Sequence, residues 1–578
     1  MKKRNFKVAL FSLFTITALM IGTFATGAVF ASGSNHSVQS SGGVSVSAQK
    51  GSSQTVNGQS MNVRSLPQEG NSPAKNHTSL PLGVSPNLAA AKKNASHNMN
   101  APRGGTALAD PGSTTSEKVS FNGMADSATI CPFFGGCQPP DMALATSPQF
   151  VFQGVNTSFA LYDNSGHRVA GPVNSQVFFG VPNPKPAGCD PAGPFMSDPR
   201  AFYDPNTGLF WAAMLQIENV EGAIGPKCKF LSQYWIANFN PTSGAGCVYN
   251  FDMALGTKNF ADYTQFGFSG KTIAFTGNMF NQAGTAYKYA ETQFANKHAM
   301  EQCKPVTTDA FTHLKAGSVL VDTVQPVETE TPLASDPGVQ YLVNSFNGNG
   351  DPFGHDCLTT ACEGFIVWAY DPATHSLGGA LTGLGIPTPL YVSPPNADQP
   401  GCTQCVETID TRITGTPVYS VGGGQPLISF SLDTAVNNGG AGAPSVVPGI
   451  LWGQIQVTHF SSGTAPNLYQ SGYLFFSGDR DASFGAMMQD KNGNLFMVFD
   501  TMSANLNPSI MLVSRSKSEP LGTIDHASFI IRGPSATFDS RWGDYEAASY
   551  TGFGSNEVWV ASQYSISGDW ATRIARVS

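Results

Sequence analysis

The chain has 578 residues, of which 62 are glycine and 39 proline, and only 12% are charged. Globular proteins average about 25% charged residues and about 12% glycine plus proline. This composition therefore excludes coiled coils and long solvent-facing helices and favours a β-rich chain with many tight turns. Charge is divided along the chain: residues 1–115 hold ten basic and two acidic residues, and the remainder carries a net charge of −16. An acidic body repels phosphate backbones, which argues against a nucleic-acid partner.

The N-terminus reads as an export signal. Lys2, Lys3, Arg4 and Lys7 precede an apolar stretch from Val8 to Phe30, and Val29-Phe30-Ala31 places small or branched residues at the −3 and −1 positions, so residues 1–31 are expected to be cleaved after Ala31. The apolar stretch approaches the length of a bilayer span, so retention as an uncleaved anchor is the second reading. No later segment is apolar enough to span a membrane, and the rest of the chain is expected to be secreted or at the cell surface.

Residues 32–115 are dominated by Ser, Asn, Gly, Ala and Gln, with no aromatic residue between Phe30 and Phe121. Such a stretch lacks the apolar surface to offset its ordering entropy, so it reads as a disordered linker that tethers a folded domain over 116–578. Asn35, Asn76 and Asn94 sit in N-x-S/T sequons, which are common by chance in a Ser-rich stretch.

All ten cysteines lie in the body. An even count in an exported chain suggests disulfides. Three close pairs are expected to staple loops: Cys131 with Cys137, Cys357 with Cys362, and Cys402 with Cys405. Cys402-x-x-Cys405 also fits a redox or zinc motif, but its Pro/Gly surroundings read as a loop rather than a helix start, and no second ligand pair is close in sequence.

Along the body, short strands are broken by turn signals. Tyr162-Asp163-Asn-Ser-Gly166, Tyr203-Asp204-Pro-Asn-Thr-Gly208, Tyr370-Asp371-Pro-Ala-Thr and Gln489-Asp490-Lys-Asn-Gly493 each read as a hairpin, with Asp opening the turn and Gly at the positive-φ position where present. Grouping strands between long loops gives units that begin near residues 139, 195, 265, 337, 407, 480 and 540. Recurrent units of this size predict an all-β fold, a β-propeller of about seven blades, with six to eight permitted. A tandem of β-sandwiches is the alternative. Residues 571–578 read as a strand that runs to the last residue, and ring closure with a strand near 118–121 would cover its edge.

The segments Pro139-Pro-Asp141-Met, Ser197-Asp198-Pro-Arg200-Ala-Phe-Tyr-Asp204, Phe484 to Phe496, Pro520-Leu-Gly-Thr and Arg541-Trp-Gly-Asp544-Tyr545 fall in order over most of 118–578. In these the chain resembles a group of secreted bacterial propeller proteins described as sialidase-like or BNR-repeat-like. The resemblance implies a propeller. It implies no activity, because most such proteins have no assigned reaction and fold alone assigns none.

Asp/Arg clusters stand at the starts of predicted blades: Asp198 with Arg200, Asp410 with Arg412, and Arg541 with Asp544 and Tyr545. In a propeller these gather near the central channel. Arg200, Arg412 and Arg541 would suit the three guanidinium forks with which a sialidase grips a carboxylate. Against this, Tyr545 and Glu546 are adjacent and point to opposite faces of a strand, so they cannot act as a bonded nucleophile pair. The spacing S-x-D-x-G-x-x-W typical of sialidase-like blades is also absent. The plainer reading is a structural Asp/Arg network between blades. Asp490, Asn492 and Asn494 resemble the opening of a Ca²⁺ loop, but no Glu follows at the twelfth position, and a hairpin turn explains them equally well. No other cofactor is expected. H-E-x-x-H and G-x-S-x-G are absent. Trp452, Trp542, Trp559 and Trp570 read as blade core. The sequence therefore leads to a monomeric, exported, non-enzymatic propeller whose loops bind an extracellular glycan or protein. The alternative is a sialidase-like or other glycoside hydrolase working at the channel.

Overall fold

A computed structural model describes residues 43–67, 88–108, 119–127, 130, 138–182, 195–218, 229–385, 388–439, 446–458, 460, 465–538, 541–553 and 555–578, with short backbone pairings at 38–39, 75–76 and 133–134. The expected export signal lies outside the described residues. Among the described residues, no helix is long and apolar enough to cross a membrane. Residues 35–578 form one compact unit.

The four predicted hairpins form as their turn chemistry requires. The Asp163 carboxylate accepts the backbone N–H groups of Ser165 (2.8 Å) and His167 (2.9 Å), and Asp204 accepts that of Asn206 (2.9 Å). Gly166, Gly208 and Gly493 take positive φ, and in the Asp371 turn, which lacks a glycine, His375 does so instead.

The strands are all-β antiparallel meanders arranged as a β-propeller. Five sheets of four or five strands stand separately: one within 143–174, one of 195–252 with 59–62 added, one within 325–382, one within 481–531, and one of 547–577 with 119–125 added. The sequence spacing predicts about seven blades, and the count of separate sheets corrects this. Two of the expected units are joined in one twelve-stranded sheet, because the short strand Glu328–Thr329 pairs in parallel with both Asn259–Phe268 and Val418–Ser420. The first strands of the sheets touch one another in succession, and Ala143–Thr146 meets Ala547–Tyr550, which completes a ring. Thr146 donates its backbone N–H to Ser549 Oγ (3.0 Å) across that junction.

The chain ends are joined as expected. Asp569–Val577 pairs antiparallel with Val119–Ala125, setting Ile574 opposite Phe121 and Arg576 opposite Val119. Separate stacked sandwiches do not have this pairing. Strands such as Leu209–Glu218 and Asp481–Gln489 are buried along nearly their whole length rather than on alternate residues, because each sheet is covered on both faces by its neighbours. Trp452, Trp542, Trp559 and Trp570 are all fully buried, as read.

The stretch read as a disordered linker is corrected over its described parts. Ser45–Lys50 pairs with Asp309–Ala316, and Gln59–Asn62 pairs with Ala245–Asp252, each adding an outer strand to a body sheet. Leu88–Ala95 is a helix with Leu88 packed on Leu358. The composition hides this because an edge strand is stabilised by backbone pairing, which needs few apolar side chains.

Disulfides join Cys357 to Cys362 and Cys402 to Cys405, as expected, and a third joins Cys247 to Cys303, 56 residues apart. This last pair was invisible to spacing because its partners meet only in the fold. The expected bridge between Cys131 and Cys137 is not one of these three: Cys131 and Cys137 both lie outside the described residues.

Two measurements check this architecture. Ile574→Ala, in the closing strand, is expected to cost about 2–5 kcal/mol in denaturant unfolding, whereas Ile566→Ala at an exposed strand end stays within about 0.5 kcal/mol. The Cys247→Ser/Cys303→Ser double variant is expected to lose about 4 kcal/mol by the loop-entropy relation and to melt lower than the parent.

Candidate functional site

The first strands of several sheets carry the same irregularity. Pairing register shifts between Ser197 and Arg200, between Asp262 and Gln265, and between Ser483 and Ala486. Asp198, Tyr263 and Phe484 within these bulges take φ of 59°, 50° and 58°, and Asp141, just before its own strand, takes 45°. A bulge leaves a backbone N–H without its ladder partner and turns a side chain toward the ring centre. Non-glycine residues hold such φ values only where the surroundings over-determine them.

Those surroundings are side-chain acceptors from the adjacent sheet. Asp198 Oδ2 accepts the N–H of Thr264 (3.2 Å), and Asp433 accepts that of Phe484 with both oxygens (2.9 and 3.1 Å). Asp141 Oδ1 accepts the N–H of Asp544 (3.0 Å), and Asn156 Oδ1 accepts that of Asp198 (2.9 Å). Asn156 also donates to Asp141 Oδ2 (2.8 Å), linking two of these acceptors.

The three candidate arginines converge on this frame. Arg412 grips Asp410 with two bonds (2.7 and 2.6 Å), both side chains being buried, and lies over the Tyr263 ring with 4.4 Å to its centroid. Arg541 donates to both oxygens of Asp544 (2.9 and 3.1 Å) and approaches Glu407 (3.6 Å). Arg200 is stacked on Tyr545 at 3.3 Å. The Tyr263 and Tyr545 rings meet edge-on, 6.0 Å apart, and the Tyr545 hydroxyl donates to the Pro199 carbonyl (3.0 Å). A layer of guanidinium, ring, ring and guanidinium thus crosses the ring centre. Each such stack is worth about 2 kcal/mol when desolvated.

The sequence reading did not single out several members of the frame: Asp141, Asn156, Tyr263, Glu407, Asp433 and Lys92. Asp141 had a signal, since it stands just before the first strand of its sheet in the segment Pro139-Pro-Asp141-Met. Lys92 had none. It comes from the polar stretch, on the helix Leu88–Ala95, and its buried Nζ donates to Thr408 Oγ1 (2.8 Å) and the Ile409 carbonyl (3.0 Å). Burial lowers its pKa to about 8, partly opposed by Glu407, Asp410 and Asp433.

Burial also dominates the acids. It raises Asp198 to about 7, with Asp262 and Asp544 adding to the shift, and it holds Asp141 well above the carboxylate range together with Asp544 and Asp198. Asp500, which accepts Trp542 Nε1 (2.6 Å) and the Ser562 hydroxyl, is raised by burial to about 7. Asp410 alone of this group is lowered, because Arg412 outweighs its burial.

The Ca²⁺ candidates form a turn. Asp490 Oδ1 accepts the N–H groups of Asn492 (2.9 Å) and Asn494 (2.8 Å), and Oδ2 accepts Asn494 Nδ2 (2.9 Å). Among the described residues, one group of side chains has metal-ligand spacing, the surface trio Glu519, Asp525 and His526. There His526 Nε2 lies 2.6 Å from Glu519.

No family model and no curated protein matches the chain. Solved structures similar to it include Drosophila Plexin A in complex with Semaphorin 1b (8% identity, 80% of this chain and 87% of that one, TM-score 0.33). A protein of unknown function from Dyadobacter fermentans is also similar (8%, 66% and 94%, TM-score 0.33), as is a Trypanosoma rangeli sialidase mutant displaying trans-sialidase activity (8%, 71% and 60%, TM-score 0.34). Likeness this distant assigns nothing to the site.

The raised acids set a pH dependence. An acid with folded pKa near 7 and unfolded pKa near 3.9 binds more protons folded than unfolded between those values, so stability falls as pH rises from about 4 to 7. Urea unfolding of the wild type is expected to give higher stability at pH 5 than at pH 7.5. Asp198→Asn keeps an acceptor for the Thr264 amide and is expected to flatten that slope; an unchanged slope contradicts the assignment.

Proposed function

We propose that the protein is an exported, monomeric, non-enzymatic β-propeller that binds an extracellular glycan through its loops, with the first residues serving as export signal. The single observation that carries the proposal is how the convergent arginines are used. Arg412 holds Asp410 with its fork and Arg541 holds both oxygens of Asp544 through Nη2, so a substrate carboxylate at the ring centre would have to displace the buried Arg412–Asp410 pair, at about 3–5 kcal/mol, and the half-buried Arg541–Asp544 pair.

Binding then falls to the loops. The hairpin formed by Ala397–Gln399 and Cys402–Val406 carries the Cys402–Cys405 disulfide within its second strand. Gln399 ties it to Thr537 in both directions, donating to the Thr537 carbonyl (3.0 Å) and accepting its N–H (2.8 Å). Phe538, the next residue, is 86% exposed. An exposed ring beside a braced loop suits stacking on a sugar face. Disulfides of this kind persist in oxidising compartments, which supports export.

Screening the purified protein on glycan arrays and chromogenic glycosides tests the proposal. The expected result is binding without turnover, weakened at least tenfold in Phe538→Ala and unchanged in Arg541→Ala. Glycoside turnover that disappears in Arg541→Ala would establish the hydrolase reading instead.

A further inference from the structure

Arg200 differs from the other two convergent arginines. Its Nη1 has one long contact, to Thr416 Oγ1 at 3.5 Å, while its buried Nε and Nη2 meet no acceptor among the described residues. The face of the guanidinium is taken by Tyr545, so the unsatisfied groups lie on its edge. A buried guanidinium without an acceptor retains the full desolvation cost of those donors.

That edge lines a narrow bore in the ring centre. Alanines from three sheets, Ala143, Ala201 and Ala486, leave space between the first strands, and Glu328, Thr416 and Glu546 complete the polar lining beside Arg200. Arg200, Glu328 and Glu546 are each at least nine-tenths buried. The bore has room for about one sphere of water size. Its two acids are pushed up by burial, Glu328 to about 8 and Glu546 well above the carboxylate range. The carboxyl neighbours of these acids are Glu330 for Glu328 and Asp500 for Glu546, so neither is held as the counter-charge of Arg200.

We propose that the bore holds a single small monovalent anion of chloride size, bound by Nε and Nη2 of Arg200. The site takes no part in loop binding. The ion supplies the negative charge that Asp410 supplies to Arg412 and Asp544 supplies to Arg541. A ligand held only by the folded ring also stabilises it by mass action.

Bromide, which replaces chloride and scatters anomalously, is the probe. Crystals of the wild-type protein grown in sodium bromide are expected to show an anomalous peak in contact with the Arg200 guanidinium edge. A water at that position with no anomalous signal would overturn the proposal. A second measurement does not depend on crystals. Titrating chloride against gluconate at fixed ionic strength is expected to raise the wild-type melting temperature saturably, and Arg200→Gln is expected to abolish the saturable part. Identical titrations for the two proteins would also overturn it. Neither readout depends on glycan binding, so failure here leaves the loop reading untouched.

Discussion

The ring is held in register by buried side-chain acceptors that capture the backbone N–H groups released by bulges in neighbouring sheets. Asp433 on Phe484, Asp198 on Thr264 and Asn156 on Asp198 repeat one device around the centre, and Asp141 holds the Asp544 amide in the loop before its sheet. Flat propeller sheets pack face to face through apolar contacts that specify distance but little about sliding along the strands. A carboxyl aimed at one particular amide specifies the register, because a slip of one residue leaves a buried donor and a buried acid both unpaired. The positive-φ residues are the local cost of this device.

The same device explains the electrostatics. Carboxyls placed to accept amides inside a low-dielectric centre lose solvation, and their pKa values rise unless a cation is in contact. Asp410, gripped by Arg412, is the exception that shows the rule. Arg412 and Arg200 in turn stack on Tyr263 and Tyr545, so the polar centre is packed in layers around the narrow bore beside Arg200. Lys92 covers it from the helix Leu88–Ala95.

Much of this was legible in the sequence, and the illegible parts have physical reasons. Turn chemistry at Asp163, Asp204 and Asp490 located hairpins because Asx turns are local. The closing strand at 571–578 was legible because an apolar alternating strand at a chain end needs a partner. The gathering of Arg200, Arg412 and Arg541 followed from the ring, but their partners did not, since Tyr263 and Asp433 are distant in sequence and ordinary in composition. The N-terminal strands were illegible because edge pairing uses backbone rather than side chains. The joining of two expected units through Glu328–Thr329 was illegible because two residues carry no periodicity.

Asp433 gives the most direct test of the central claim, since it accepts one amide with both oxygens and has no exposure to solvent. The measurement is the unfolding free energy of Asp433→Val beside Asp433→Asn, two replacements of similar size that differ in whether an acceptor remains for Phe484. If amide capture between sheets fixes the ring, the valine variant loses about 3 kcal/mol more than the asparagine variant. Equal stabilities for the two would contradict the account.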